Sequence, residues 1–246
     1  VPQADELIVV GDGDTDGSSD WAEEQGARVI RLPTSGGPAR ARNVGARAAR
    51  GDILFFVDAD VAVHTDAVKQ VVDAFQNEPG VAATFGSYDD APSETNFLSQ
   101  YKNLLHHYVH QTGREDASTF WAGCGAVRRD VFLAQGGFDE RYREPCIEDI
   151  ELGYRLRSAG HKIKLQKTLQ GKHLKRWTAV SLLKADFFKR ALPWTELILR
   201  DREMINDLNL DRASRASVVM AYGLLGTLMG SAFWLGALAF AGLFLT

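Results

Sequence analysis

Cysteine is nearly absent from this 246-residue chain, which has only Cys124 and Cys146. Two thiols cannot build the stapled framework of a small secreted domain, and they fit a reducing compartment. Positive charge is not in excess either. The 28 Lys and Arg against 32 Asp and Glu leave a formal charge of −4, which argues against the basic stripe of a bulk nucleic-acid binder. No internal repeat, low-complexity linker or collagen-like period is present. With 45% hydrophobic and 24% charged residues, the composition is that of a packed globular chain and not of a disordered one. The length suits one large domain, or a domain with an appendage. No signal-peptide pattern opens the chain and Val1 is not an initiating residue, so a fragment of a longer protein is expected.

Charge disappears altogether after Arg215: residues 216–246 carry none. A bilayer span needs roughly 20 apolar residues, so a transmembrane segment is expected at 216–246. Gly223, Gly226, Gly230 and Gly236 suit close packing of membrane helices. A buried core helix is the alternative. Just before it, at 178–215, Leu182, Leu183, Phe187, Phe188, Leu192 and Trp194 alternate with Lys184, Lys189, Arg190 and Arg200. Such a mixture suits amphipathic helices in a membrane interface, or packing against the domain itself. Arg212 and Arg215 flank the apolar segment on the domain side, which predicts a cytoplasmic domain on a membrane, the bacterial inner membrane being the expected one.

The first 177 residues read as one α/β domain. Leu7–Val10, Val29–Leu32, Ile53–Val57 and Val81–Phe85 are short apolar runs that predict buried strands. Between them, 38–50 opens with Pro38 at a first helical position and puts Ala41, Val44, Gly45 and Ala48 on one face. Val68, Val71, Val72 and Phe75 recur at helical spacing before Pro79-Gly80. The alternation predicts a mainly parallel, Rossmann-like sheet flanked by helices. Further on, 96–110 reads as a helix with Phe97, Leu98, Tyr101, Leu104, Leu105 and Tyr108 on a broad face, and 149–158 as a charged amphipathic helix.

The loop after the first strand, Gly11-Asp12-Gly13-Asp14-Thr15-Asp16-Gly17, admits three readings. A dinucleotide fingerprint fails because Asp16 stands where the third glycine belongs. An EF-hand pattern is complete on paper, with Asp12, Asp14, Asp16, Gly17 and Glu23. Yet a strand and not a helix leads into it, and Ser19 takes a position that is normally apolar. The third reading is a turn at the carboxyl end of a parallel strand, where open α/β sheets bind ligands. There Asp12 would accept a hydrogen bond from the N–H of a nucleobase. The same side chains could instead only cap the next helix.

A second acidic pair follows the third strand: Asp58-Ala59-Asp60. Residues i and i+2 of an extended segment point the same way. Two adjacent carboxylates repel unless a cation lies between them, and oxygen ligands suit Mg²⁺ or Mn²⁺, which commonly bridge to phosphates.

With these residues the chain resembles a family 2 glycosyltransferase of the GT-A fold. The resemblance runs through ELIVVGDGDTDGSSDWAEEQGARVIRL, GPARARNVGARAARGD, ILFFVDADV, FWAGCGAVRRDVF, GGFDE and IEDIELGYRLRSAG, over about residues 5–177. It implies a nucleotide diphosphate sugar, UDP- or GDP-linked, with its base at Asp12. It implies Asp58 and Asp60 as the D-x-D pair, Asp60 being the direct metal ligand. Family members usually begin with a strand and a P-x-x-N-E-like segment, before which this chain starts. Gly11 replaces the first of two adjacent aspartates, and Asp14 stands where Ser is frequent.

The resemblance also implies that Glu148-Asp149 supplies the general base, with Asp149 as base and Glu148 shaping the acceptor pocket. Without it, both would read as carboxylates favoured at a helix start. His173 is expected to complete the metal shell. Arg176-Trp177 resembles the end of the Q-x-x-R-W signature of processive synthases, but Gln170 lies too far upstream to fit. Arg176 and Arg42 (or Arg40) are expected to neutralise the diphosphate. Trp121, Gly123 and Cys124 are expected to line the acceptor site, and His106, His107 and His110 to form an interfacial face. The expected activity is metal-dependent, inverting sugar transfer to a membrane-associated lipid or lipid-linked acceptor. The rivals are a calcium-binding module on the EF-hand-like loop and a catalytically inactive relative that acts as a scaffold.

Overall fold

The structure, a computed structural model, describes residues 4–202 and 204–243, with 209, 232 and 235–243 described by backbone alone. It divides into two compact units, Val1–Glu203 and Met204–Thr246.

The first unit opens with β1 (Ile8–Asp12), α1 (Ser18–Glu24), β2 (Arg28–Leu32), α2 (Pro38–Ala48), β3 (Ile53–Val57) and β4 (Val61–Val63). It continues with α3 (Ala67–Asn77), β5 (Val81–Tyr88), α4 (Phe97–Thr112), β6 (Asp116–Ala117), β7 (Cys124–Arg128) and α5 (Arg129–Ala134). Last come α6 (Glu148–Ser158), β8 (Lys162–His173), α7 (Ala179–Asp186), one π turn (Phe187–Ala191) and α8 (Leu192–Asp201). All four expected strands form.

The expected single, mainly parallel sheet does not form. β1 and β2 pair in parallel as a sheet of their own. The larger sheet runs β3-β7-β5-β8-β4 with β6 beside β8, and within it β5–β8 alone is parallel. The reason is β7, which returns antiparallel between β3 and β5. An apolar run states that a strand is buried, not which way it points. β8 was not foreseen. Its buried residues Ile163, Leu165, Leu169, Gly171 and His173 keep to alternate positions, hidden in sequence by interleaved Lys and Gln.

The core between α3 and the sheet follows from α3's helical spacing: Ala67, Val71 and Phe75 pack with Val81, Cys124, Ala126 and Leu169. Burying each large apolar side chain contributes roughly 1.5–3 kcal/mol. On α2 the fully buried residues are Ala39, Asn43 and Ala46. Asn43 can be buried because its amide donates to the Phe138 carbonyl and accepts from the Phe138 N–H, both at 2.8 Å.

Helix α4 forms where the spacing expects it, but the face it buries is not the apolar one. Phe97, Tyr101, Leu104, Leu105 and Tyr108 face outward, while Ser99, Asn103 and His110 are buried. The polar side chains turn inward because they satisfy the segment β5 and its continuation. Asn103 donates to the Asp89 carbonyl, His107 to Tyr88 and His110 to Gly86, at 2.9, 2.7 and 2.8 Å. The expectation that the three histidines form an interfacial face is therefore corrected.

In the second unit, Asp211 caps α9 (Arg212–Leu243), accepting from Ser214 N–H at 2.7 Å. Arg215 donates to the Leu210 and Ile205 carbonyls. The expected transmembrane segment at 216–246 falls on α9, but among the described residues no helix is long and apolar enough to cross a membrane. Side chains from 235 onward lie outside the described residues.

Candidate active site

Strand β3 delivers Asp58 and Asp60 to its carboxyl end, and two backbone bonds set the turn. Asp58 N–H donates to the Gly123 carbonyl at 3.1 Å, and Leu174 N–H to the Asp60 carbonyl at 2.8 Å. The spacing of the two carboxylates predicts one cation between them, but they turn to different partners.

Asp58 turns to Arg42. The Arg42 guanidinium reaches Asp58 Oδ1 at 2.6 Å and Glu148 Oε1 at 2.7 Å, and only 18% of its side chain is exposed. Burial opposes its charge, but Asp58 and Glu148 outweigh that and hold it firmly protonated. Both arms are thus occupied, so Arg42 organises the site and is not free for a diphosphate. That corrects one expectation.

Asp60 turns to His173. Asp60 Oδ2 lies 3.7 Å from His173 Nε2 and 3.8 Å from Lys175 Nζ. The neighbouring His173 ring, with Lys175, holds the Asp60 carboxyl below the ordinary range, against the opposing effect of burial. His173 is itself stacked on Tyr88, ring centroids 4.2 Å apart and planes within 11°. Lys175 lies 4.8 Å over the Trp177 ring. Arg176, by contrast, is exposed and its ion-pair contact is with Glu94, at 3.9 Å. Lys175, and not Arg176, is the cation beside Asp60.

Glu148 and Asp149 open α6. Cys146 N–H donates to Glu148 Oε2 at 2.9 Å, and Ala122 N–H to Asp149 Oδ2 at 3.1 Å. Burial, then the charge of Glu148, pushes the Asp149 carboxyl well above the ordinary carboxylate range, with Arg42 only partly offsetting them. A carboxylate with raised proton affinity is what a general base working near neutral pH needs.

Trp121 stands behind this centre, its ring 4.6 Å from His106 and 4.9 Å from Tyr88. Gly123 adjoins that ring, and a Cβ there would collide with it. Cys124 is fully buried in the α3 core, its thiol pushed up to about 12 by burial and by Asp58. Packed into that core with no exposed surface, it is not available to line an acceptor site as expected.

Asp12 ends β1 and accepts from Ser35 Oγ, Gly36 N–H and Gly37 N–H at 2.8–3.1 Å. Burial pushes its carboxyl up, but these bonds together hold it below the ordinary range. Gly37 has φ +90, and a Cβ there would strike the Arg143 backbone, so the turn into α2 requires glycine. The EF-hand pattern disperses. Asp14 accepts from Ser19, Asp16 from Ser18 N–H, and Glu23 pairs with Arg31 at 2.7 Å. With strand β1 leading into the loop, this is not a helix–loop–helix, and the calcium reading loses its basis. A 280 Å³ cavity beside the loop is lined by Asp14, Ser19, Asp20 and Arg31, apart from Asp60 and Asp149.

Lys175 and Tyr88 were missed in the sequence. Tyr88 ends β5 among the strand ends that hold the acidic residues, the edge where open sheets bind ligands. Lys175 was overlooked beside Arg176.

No group of three His, Cys, Asp or Glu gathers for a metal among the described residues. Asp60 and His173 provide a two-donor set, which suits an ion completed by phosphate and water oxygens. The imidazole nitrogen favours Mn²⁺ over the harder Mg²⁺.

The fold is a mixed α/β fold of the GT-A type, shared with solved sugar-transferring enzymes. A mannosyltransferase from Pyrobaculum calidifontis, in complex with GDP-Man and Mn²⁺, matches with TM-score 0.55 and 20% identity, over 93% of this chain and 71% of its own. GalNAc-T7 with UDP, GalNAc and Mn²⁺ matches with TM-score 0.54 and 17% identity, over 70% and 38%. Residues 2–134 match the model of glycosyl transferase family 2, and the chain belongs to that family. A probable glycosyltransferase of Bacillus subtilis is 25% identical over 173 residues, 65% of this chain and 40% of its own length. A poly-beta-1,6-N-acetyl-D-glucosamine synthase of Staphylococcus aureus is 23% identical over 209 residues, 80% and 49%. An uncharacterized glycosyltransferase of Haemophilus influenzae is 32% identical over 88 residues, 34% and 35%. The chain therefore spans half or less of the length of these curated relatives.

Proposed function

We propose that the chain transfers a sugar, with inversion, from a nucleotide diphosphate sugar to a hydroxyl of a membrane-associated lipid or lipid-linked acceptor. The carrying observation is Asp149, a carboxylate of raised proton affinity, tied through Glu148 and Arg42 to the D-x-D turn.

Asp149 removes the acceptor hydroxyl proton as that oxygen attacks the anomeric carbon. The bond from that carbon to the diphosphate breaks on the opposite face, and the nucleotide diphosphate leaves with the electron pair. Asp60 and His173 would hold a Mn²⁺ or Mg²⁺ ion, which supplies charge to the leaving diphosphate. Lys175 adds a cation on the same side. Arg42 holds Asp58 and Glu148 in place. Asp12 fixes the 35–37 loop beside the expected place of the base. The Mn²⁺ and nucleotides bound by the two solved neighbours support this reading.

Support for membrane association comes from exposed apolar side chains on α4 and from α7 to α8, including Leu105, Tyr108, Leu183, Phe187 and Phe188. The proposed arrangement is a catalytic domain over 1–177, interface helices from 178 to 215, and a site facing the cytoplasm at the bacterial inner membrane.

The test is a thermal-shift titration of the chain with Mn²⁺, Ca²⁺, UDP, GDP, and each nucleotide with Mn²⁺. Binding to the folded state raises Tm. A shift that needs nucleotide and Mn²⁺ together and is lost in Asp60→Ala supports the reading. A shift with Ca²⁺ alone, or none, counts against it. Binding without turnover in every acceptor assay would favour the inactive scaffold.

A further inference from the structure

Two backbone contacts converge on residues 121–123, the turn that leads into β7. Ala122 N–H donates to Asp149 Oδ2 at 3.1 Å, and the Gly123 carbonyl accepts from Asp58 N–H, also at 3.1 Å. One turn thus touches both the carboxylate at the start of α6 and the D-x-D turn after β3. Asp149 is held from two directions. Its Oδ1 accepts from Ile150 N–H, within its own helix, at 2.8 Å. The bond to Ala122 is the one that crosses to another element, so it relates the carboxylate to the rest of the site.

The Trp121 ring fixes that turn. It stands edge-on to Tyr88 at 4.9 Å and 84°, and lies 4.6 Å from His106 and 5.7 Å from His110. Gly123 folds back against the ring, and Gly125 against the carbonyl of Trp121, so closely that a Cβ at either would collide. The chain therefore wraps its own indole. The walls around that indole act by shape. His106 Nδ1 is buried without a hydrogen-bond partner, and burial pushes the imidazole well below the ordinary histidine range, so it packs as an uncharged ring. Tyr88 also stacks on His173. Contacts thus run from His173 through Tyr88 and Trp121 to Ala122 and Asp149.

We propose that Trp121 is a positioning residue for the transfer: its ring sets the 121–123 turn, and the Ala122 N–H of that turn aims the Asp149 carboxylate. The catalytic meaning rests on the transferase reading, in which Asp149 is the base, but the positioning claim is tested without it. A base must lie within hydrogen-bond reach of the proton it takes, and a misplacement of about 1 Å costs on the order of 10²-fold in rate.

The test follows the amide proton shifts of Ala122 and Ile150 in the isotope-labelled, detergent-solubilised full chain as Asp149 titrates. An amide that donates to a carboxyl group moves when that group ionises, because the charge strengthens the bond. In wild type both amides should move with one midpoint, and in Asp149→Asn neither should. In Trp121→Leu, Ile150 should still move while Ala122 loses most of its movement. Trp121→Phe, which keeps a ring beside Tyr88 and His106, should restore part of it. Phe75→Leu, in the α3 core, should lower Tm and leave both amides as in wild type, which separates positioning from a general loss of stability. The proposal is overturned if Ala122 follows Asp149 in Trp121→Leu as it does in wild type, or if it fails to follow Asp149 in wild type. It is equally overturned if Phe75→Leu uncouples Ala122 as far as Trp121→Leu does, or if Trp121→Phe restores nothing. Should Trp121→Leu not fold, His106→Ala, which removes one wall of the indole, carries the same expectation and the same overturning result. Neither nucleotide nor acceptor is present, so a missing UDP–Mn²⁺ thermal shift counts against the transferase reading alone, and the amide titration still decides Trp121.

Discussion

Arg42 meets Glu148 at 2.7 Å although 106 positions separate them, and its other arm holds Asp58. One guanidinium therefore joins α2, the D-x-D turn and the start of α6. Removing one partner of a buried pair typically costs about 3–5 kcal/mol, because the remaining charge is left buried. Arg42→Ala should destabilise the chain by that order in urea unfolding. Arg42→Lys should recover only part, since an ammonium cannot fork to two carboxylates. A loss in Arg42→Ala below about 1 kcal/mol, the value of an exposed pair, would show that the bridge is not structural.

Asp149 connects stability and rate with opposite signs. Its proton is held more tightly in the native state than in the unfolded chain. Between the ordinary carboxylate value and the raised one, the native state binds more protons, so stability falls as pH rises through that window. Turnover should rise across the same window, because only the carboxylate can accept the hydroxyl proton. Asp149→Asn should raise Tm near neutral pH and lower turnover by roughly 10²–10⁴-fold. An Asn variant of lower Tm, or of undiminished rate on a hydroxyl acceptor, contradicts this assignment.

How much of this was legible differs residue by residue. Asp58 and Asp60 could be singled out because they follow a strongly patterned strand, whereas Asp149 was singled out by the family resemblance and by itself reads as a helix-start carboxylate. Their partners could not, since Arg42 and Glu148 meet only through the tertiary fold. Helix α4 shows the limit most sharply. Its apolar spacing is a correct signal of a helix, but the face it buries is the polar one, because β5 offers carbonyls that Asn103, His107 and His110 satisfy. Periodicity assumes that the apolar stripe faces the core, and an outward stripe breaks that assumption. Strand direction was equally invisible, so β7 reversed the expected sheet.

Cys124 offers a chemical check on the corrected acceptor site. With the thiol buried and pushed up to about 12, and the half-buried Cys146 up to about 11, almost no thiolate exists near neutral pH. The thiolate is the reactive form. Neither cysteine should react with iodoacetamide on the time scale of minutes until the chain is unfolded, read by intact mass. Rapid labelling of Cys124 in the native state, blocked by acceptor, would restore it to the acceptor site.

Asp60 and His173 lead to the last prediction. With two protein donors and oxygens of the diphosphate completing the shell, metal and nucleotide should bind cooperatively, each weakly alone. Chelation should abolish the nucleotide-dependent thermal shift, and Mn²⁺ should restore it at lower concentration than Mg²⁺, because a nitrogen donor discriminates between them. His173→Ala should narrow that Mn²⁺-over-Mg²⁺ preference, whereas Asp60→Ala should remove binding of both. Replacing Tyr88 by Leu takes away the ring stacked on His173 and should weaken Mn²⁺ without altering the Mg²⁺ response as much. Free Mn²⁺ measured by electron paramagnetic resonance reports this without any turnover. Equal Mn²⁺ affinity in wild type and His173→Ala, with UDP present, would remove His173 from the shell and leave Asp60 as the only protein donor identified.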